Sequence, residues 1–213
     1  MNSIADLRRE YASRALTEQD ADPDPLRLFS VWFDEAMQSQ LLDVNAMTLA
    51  TATRTGEPAA RIVLLKAADA DGFVFYTNYD SAKGREIAEN PRACLLLFWP
   101  ELERQVRITG SVSRTSREES QRYFHSRPIE SQIGAAASNQ SRPVGDRSTL
   151  EARYAELAAT YQDSIVPLPS SWGGYRVTPD AIEFWQGRKS RLHDRLLYTK
   201  APGGSWNRCR LEP

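Results

Sequence analysis

The stretch 184–195, FWQGRKSRLHDR, holds the densest set of residues able to do chemistry. His193, one of two histidines in the chain, stands there between Arg191 and Arg195. If 191–195 is an extended strand, alternate side chains share a face. Arg191, His193 and Arg195 then point one way, and Leu192 and Asp194 the other. Two guanidiniums beside an imidazole suit an anionic small molecule, because a guanidinium grips phosphate or carboxylate through a bidentate fork. Taken alone, RLHDR fits a solvated edge strand at least as well, with Asp194 neutralising its neighbours.

Other segments offer similar groups. In RIVLLK (61–66), alternation puts Ile62, Leu64 and Lys66 on one face and Arg61, Val63 and Leu65 on the other. On spacing alone the two charges read best as strand-end gatekeepers against aggregation. Tyr76 and Thr77 end one segment, and Ser81 and Lys83 open the next. Hydroxyls and a lysine at a helix N-terminus can hold a phosphate, and plain capping explains them equally. Gln105 sits inside a strand, where it could read the polar edge of a ring. Tyr123, Arg127 and Ser131 fall in one short span that suits a second phosphate, while His125 in that span reads as structural. Gln140 and Ser141 place amide and hydroxyl donors in a loop. Trp185 could cover an aromatic ring, although a Trp in IEFW is more often core. No GxGxxG, Walker A, HExxH or GxSxG motif is present. Two histidines and scattered carboxylates argue against a metal site. The hard chemistry of such an enzyme would fall to an organic cofactor.

The elements that must position these groups follow from patterning. Residues 1–24 read as a mobile polar arm ending in DADPDP, within which Arg8 and Tyr11 would share a helical face. A helix is expected from Pro25, capped by Asp24, with Leu26, Phe29, Phe33, Ala36, Met37 and Leu41 as its apolar stripe. AMTLATAT (46–53), RIVLLK and GFVFYTN (72–78) are short β segments with turn residues between them. A helix over 81–90, strands over 92–99 and 103–116, and a helix over 116–126 come next. The segment 127–145 reads as a loop broken by a short helix. A helix over 147–162 shows the stripe Leu150, Tyr154, Leu157 and Tyr161. Three or four closing strands include RLHDRLLYTK, with a hairpin at APGG (201–204). The first connections are too short for parallel crossovers. The pattern therefore predicts a mainly β fold, an antiparallel barrel with flanking helices, as one domain over 25–213.

Composition narrows the function. The net charge of −1 argues against a broad nucleic-acid footprint. No apolar run approaches membrane-spanning length and no signal core opens the chain, so a cytoplasmic protein is expected. Cys94 and Cys209 form no CxxC pair, and Cys94 lies in an apolar run as a small hydrophobe.

Taken together, RIVLLK, FYTN, LERQV, YFHSRP, SQIGA, NQS, VPLPSSWGG, IEFWQG, RLHDR and the closing RLEP resemble, in collinear order, the pyridoxamine 5′-phosphate oxidase family. LRREY near the start also resembles the family's N-terminal segment. The resemblance implies an FMN-binding split β-barrel and a homodimer with FMN between the subunits. It implies that Arg61, Ile62, Val63, Leu64, Leu65, Lys66, Tyr76, Thr77, Lys83 and Gln105 bind FMN. Gln140 and Ser141 would reach it from the partner, and Trp185 and Arg195 would complete the site. Lys66, Tyr123, Arg127 and Ser131 would hold a substrate phosphate. Arg191 and His193 would lie over the substrate ring as catalytic residues, and Arg8 and Tyr11 would close over it. The implied reaction oxidises pyridoxamine or pyridoxine 5′-phosphate to pyridoxal 5′-phosphate, with O2 as acceptor and H2O2 as by-product. Two alternatives are a related flavin oxidase of another ring and a non-catalytic FMN or pyridoxal phosphate binder. The chain departs from the family at Ala82, where many members carry arginine, and near Ala136, where a tryptophan is often found.

Overall fold

Asp24 and Pro25 start the first helix as their chemistry requires. The Asp24 carboxylate accepts from the backbone N–H of Leu26 at 2.9 Å, and proline at the first position gives up no helical hydrogen bond. In the computed structural model, which describes residues 14–213, this helix is α1, Pro25–Gln38. Its buried positions are Pro25, Leu28, Phe29, Trp32 and Ala36. The expected stripe is thus rotated. Met37 is 62% exposed, and Leu28 and Trp32 take its place against the barrel. The rings decide this: Phe29 meets Phe73, and Trp32 meets Phe184, both edge to face.

Among the described residues nine antiparallel strands follow: β1 (Ala46–Ala52), β2 (Pro58–Leu64), β3 (Ala67–Asp69), β4 (Gly72–Asn78), β5 (Arg92–Trp99), β6 (Arg104–Arg114), β7 (Trp172–Gln186), β8 (Asp194–Lys200) and β9 (Trp206–Arg210). Their order is β2-β1-β5-β6-β7-β4-β3, with β8 added to β7 and β9 to β8. The curl closes at Leu65 and Lys66. The Leu65 N–H donates to Asn45 O beside β1, and the next N–H, Lys66, donates to Val74 O on β4, both at 2.8 Å. Between two consecutive residues the chain leaves one side of the sheet and joins the other. This is the expected mainly β barrel with helices outside.

Among the described residues four more helices follow: α2 (Ala82–Glu89), which packs on β1, α3 (Arg117–Ser126), which packs on β7, α4 (Ile129–Ala137), which packs on α3, and α5 (Arg147–Thr160), which packs on α4. Ser81 caps α2 through Gly84 N, and Ser116 caps α3 through Glu119 N, as the sequence predicts. A second, smaller apolar cluster forms beneath them around Phe124, Ile133, Val166 and Trp172. Tyr154 and Leu157 of α5 and Tyr161 at its C-cap lean on that cluster only half-buried. Leu150 is exposed, because α5 lies on the surface with no fully buried residue. Among the described residues no helix is long and apolar enough to cross a membrane.

Two expectations change here. Arg8 and Tyr11 lie outside the described residues. Residues 14–24, expected as part of the arm, are packed along β8 and β9: Leu16 and Ala21 are buried, and Tyr198 and Arg208 donate to the carbonyls of Asp22 and Ala21. The strand expected from Arg191 instead begins at Asp194. Before it, Lys189–Arg191 makes one 3-10 turn in which Ser190 and Arg191 take left-handed φ values of 57° and 63°. Left-handed backbone breaks the alternation, so Arg191 and His193 share no strand face with Arg195.

Phe184 fills the centre of the barrel, fully buried against Trp32 and Tyr198. Phe184→Ala should cost about 3–5 kcal/mol of stability, read as a lower denaturant midpoint with an unchanged slope.

Candidate functional site

The site forms where β2 turns away from β4. Ile62, Val63 and Leu64 of β2, Lys66 at the corner, and Tyr76, Thr77 and Asn78 at the end of β4 make one wall. Lys83 of α2, Tyr123 of α3, and Ser131, Gly134 and Ala135 of α4 make the other. The cavity holds about 660 Å3, and Arg127, Gln140 and Trp172 complete its lining. That volume suits a cofactor-sized ligand.

Two cationic regions face this space. Arg127 donates through Nη2 to Ser131 O at 2.9 Å, and its guanidinium lies 5.0 Å over the Trp172 ring. Its Nη1 is buried with no hydrogen-bond partner. A buried guanidinium N–H without an acceptor is costly, and an anion in the cavity would supply one. Burial also lowers the pKa of Arg127. Lys66 reaches toward the same place, 5.9 Å over the Tyr123 ring. In the second region Lys83 is only 8% exposed, and its Nζ donates to Gln140 Oε1 at 3.2 Å. Burial, then the nearby Arg61, lower its pKa. A cation desolvated beside a neutral amide favours a bound anion.

Beneath Arg127 and Lys66 lies an aromatic stack. Tyr76 and Tyr123 stand 3.9 Å apart and nearly parallel, and Tyr76 lies 5.5 Å from Trp172 at 11°. Burial first, then Glu119 and Tyr123, push the Tyr76 phenol up to about 12, so it stays a neutral hydroxyl. Asn78 and Thr77 reach toward the 138–140 turn: Thr77 donates to Gln140 at 2.9 Å.

Of the expected residues, Ile62, Val63, Leu64, Lys66, Tyr76, Thr77, Lys83, Tyr123, Arg127, Ser131 and Gln140 meet here. Leu65 instead points into the core at 6% exposure. Arg61 turns from the cavity to pair with Glu86 at 2.8 Å and to bond Thr51. Gln140, expected from a partner subunit, sits in its own chain's cavity, because it follows α4 by a short turn. Ser141 is exposed in that turn with φ 66°. Trp172 was missed; the two glycines after it were the available signal. A side chain at Gly174 would strike Tyr76 and Thr115, so β7 must begin with bare backbone there.

The remaining residues lie elsewhere on the chain. Gln105 pairs across to Phe98 and Trp185, and Trp185 to Arg195, along the outer face of the sheet. Leu64 on β2 faces the same side, and Gln105 is three strands away, roughly 14 Å along the sheet. Arg195 is bonded to Glu183 at 2.8 Å and to Glu212 O at 2.9 Å. Burial alone would raise the pKa of Glu183, but hydrogen bonds from Arg195 and Arg107 outweigh it and hold it low. His193 lies 4.7 Å from the Trp185 ring, and its Nδ1 accepts from the Arg188 N–H at 3.0 Å. That bond leaves Nε2 to carry the proton of the neutral ring. Burial, then Arg191, lower its pKa below 6.5.

This predicts that His193 titrates below 6.5 in the folded protein. Its contribution to stability is then complete above that value and lost as pH falls through the folded pKa. NMR titration checks this, with His125→Asn assigning the signals; titration at or above 6.5 would contradict the geometry.

Comparison with known proteins gives a consistent outcome. Residues 33–161 match the family model described as pyridoxamine 5′-phosphate oxidase. Residues 172–213 match the pyridoxine 5′-phosphate oxidase C-terminal dimerisation region. The chain is 56% identical over 213 residues to the pyridoxine/pyridoxamine 5′-phosphate oxidase of Paraburkholderia phymatum, covering 100% of both. It is 57% identical to that of Rubrobacter xylanophilus, covering 99% of this chain and 96% of the other. Among solved structures it resembles PhzG from Burkholderia lata in complex with tetrahydrophenazine-1-carboxylic acid, with TM-score 0.89, 32% identity, and 95% and 100% of the two chains covered. A related FMN-binding protein of Nostoc punctiforme shares the fold, with TM-score 0.71, 17% identity, and 91% and 100% covered.

Proposed function

The chain belongs to the pyridoxamine 5′-phosphate oxidase family, and on that premise we propose that it oxidises pyridoxamine and pyridoxine 5′-phosphates to pyridoxal 5′-phosphate with FMN and O2. The observation that carries this reading is the buried, unpartnered Nη1 of Arg127 in the cavity with Lys66, Tyr123 and Ser131. Four such groups make a cradle for a substrate phosphate. The donor set also fits FMN: Lys83 stands ready for its phosphate, while Thr77, Gln140 and the backbone of β2 face the cavity beside the aromatic stack. FMN, when bound, supplies the two-electron acceptor for hydride from the exocyclic carbon, and its reoxidation by O2 gives H2O2. The amine route also consumes water and releases ammonia.

The protein's part is to bind, orient and set charge. Arg127 and Lys66 hold the substrate phosphate and so fix the ring. Arg191 stabilises charge near the reacting carbon. His193, kept neutral by burial and by Arg191, offers an Nε2–H donor and not a base.

We place Arg191, His193, Trp185, Arg195 and Gln105 opposite the cavity of a second copy. Ile62 is 64% exposed, Leu64 42% and Phe98 49%, all on the outer sheet face. Apolar side chains exposed together call for a cover. Ile62 and Leu64 also line the cavity, so its rim and that face are continuous. A homodimer across this face would bring one chain's loop residues to its partner's cavity.

A flavin-containing preparation should bleach when pyridoxamine 5′-phosphate is added without oxygen. Bleaching only by a phosphate-free reduced phenazine precursor would favour the second ring substrate, which the PhzG likeness raises. Arg127→Ala should raise KM for the phosphate substrate by about tenfold to a hundredfold, the loss of a charged hydrogen bond. Arg191→Met should depress turnover with FMN still bound. Phe98→Asp should yield monomers by sedimentation that have lost FMN; a stable flavin-loaded dimer would refute the shared site.

A further inference from the structure

The loop carrying Arg191 and His193 is held by one carboxylate. Asp194 Oδ2 accepts from the Leu16 backbone N–H at 3.0 Å and lies 3.5 Å from Arg188 Nε. Asp194 Oδ1 accepts from Arg210 Nη1 at 2.8 Å. Three separate parts of the chain therefore meet on one side chain: the segment 14–18, the loop 188–193 and the end of β9. The contacts are reciprocal. Arg210 grips both oxygens of Glu18, at 2.7 and 2.9 Å, and donates to Leu16 O at 3.0 Å. Arg188 donates from its guanidinium to Arg14 O at 3.1 Å and from its backbone to His193 Nδ1 at 3.0 Å.

We propose that Asp194 is a positioning residue that clamps the segment 14–18 to the loop 188–193 and so fixes where Arg191 and His193 stand. The proposal rests on the preceding reading, in which those two side chains meet substrate. Ser190 and Arg191 hold left-handed φ angles without being glycine. Such backbone persists only where its surroundings over-determine it. Asp194 and Arg188 are the groups that fasten this loop from both ends. An exposed ion pair at a chain end contributes little and fastens nothing. Here the acceptor is 19% exposed and one of its donors is the backbone of a residue 3% exposed, Leu16. Docking of the N-terminal segment and the shape of the substrate-facing loop then become one equilibrium. The same tie sets the tautomer of His193, because Arg188 must stay in place for its N–H to reach Nδ1.

The test uses the flavin-loaded protein and two variants, Asp194→Asn and Glu18→Gln. Glu18 bonds Arg210 and touches neither Arg191 nor His193, so it perturbs the clamp from its far end. Turnover, KM and hydrogen exchange at the Leu16 and Arg188 amides are measured together. Asp194→Asn should lower kcat about tenfold, as a lost charged hydrogen bond would, with substrate KM and FMN affinity little changed. Exchange should quicken at both amides. Glu18→Gln should act in the same direction but more weakly, and the double variant should be no worse than Asp194→Asn alone, because residues in one network do not add. Faster exchange at Leu16 with none at Arg188 in either variant would overturn the clamp. So would additive losses of kcat. If Asp194→Asn does not fold, Glu18→Gln decides by the Arg188 amide. Wild-type protein inactive on every B6 phosphate would sink the functional reading while the exchange comparison still decided the clamp.

Discussion

β7 must satisfy three neighbours with two edges, and the architecture follows from how it divides them. β6 occupies one edge over residues 175–186. The other edge is shared: β4 takes residues 172–177, and β8 takes 181–186. The change-over falls at Pro179, which has no N–H to offer a ladder. Opposite it, β6 shifts register between Thr109 and Gly110, and a side chain at Gly110 would strike the Thr178 carbonyl. From this point β4 curls one way to close the barrel while β8 and β9 run the other way as an extension. The cavity belongs to the first branch, and Trp185, His193 and Arg195 to the second.

The electrostatics of the cavity follow from how its cations are partnered. Arg61 is committed to Glu86 and Thr51, and Arg195 to Glu183. Lys83 and Arg127 have only neutral acceptors, an amide and a backbone carbonyl. Those two, Lys83 buried and Arg127 half-buried with a fully buried Nη1, are undercompensated and are the groups to which an anion brings most. Ala82 leaves Lys83 with no adjacent arginine on α2, and Glu86 draws Arg61 away, so an anion at that end of the cavity would lean chiefly on Lys83.

On the proposed reading one chain carries two half-sites, the cavity on one branch of the sheet and the loop 188–193 on the other. The outer face between them bears exposed Ile62, Leu64 and Phe98, whose burial favours association. The loop 188–193 is fastened to its own chain through Asp194, which holds Leu16 and Arg210, and through Arg188, which holds Arg14.

Local patterning was enough for most of the strands, for the antiparallel sense of the first connections, for the helix caps at Asp24, Ser81 and Ser116, and for the family, but not for β3, which lies where turn residues are read. Local chemistry suffices for these: alternation, turn residues and cap oxygens act within a few positions of themselves. The grouping of Tyr123, Arg127 and Ser131 was legible for the same reason, since they lie within one helix–turn–helix span, whereas Lys66 joins them in the cavity from a strand whose spacing alone reads as a gatekeeper. Tertiary structure decided the rest. It turned the buried face of α1 by matching rings on β4 and β7. It bent Ser190 and Arg191 out of the strand that period-two spacing predicts. It set Arg61 on Glu86, sent Leu65 into the core, and made Trp172 a wall of the site. Each of these depends on a partner 12 or more residues away, such as the Phe184 that meets Trp32 or the Asp194 that holds Leu16. Spacing along the chain carries no record of such partners, because they are chosen by the curl of the sheet and not by neighbours in sequence.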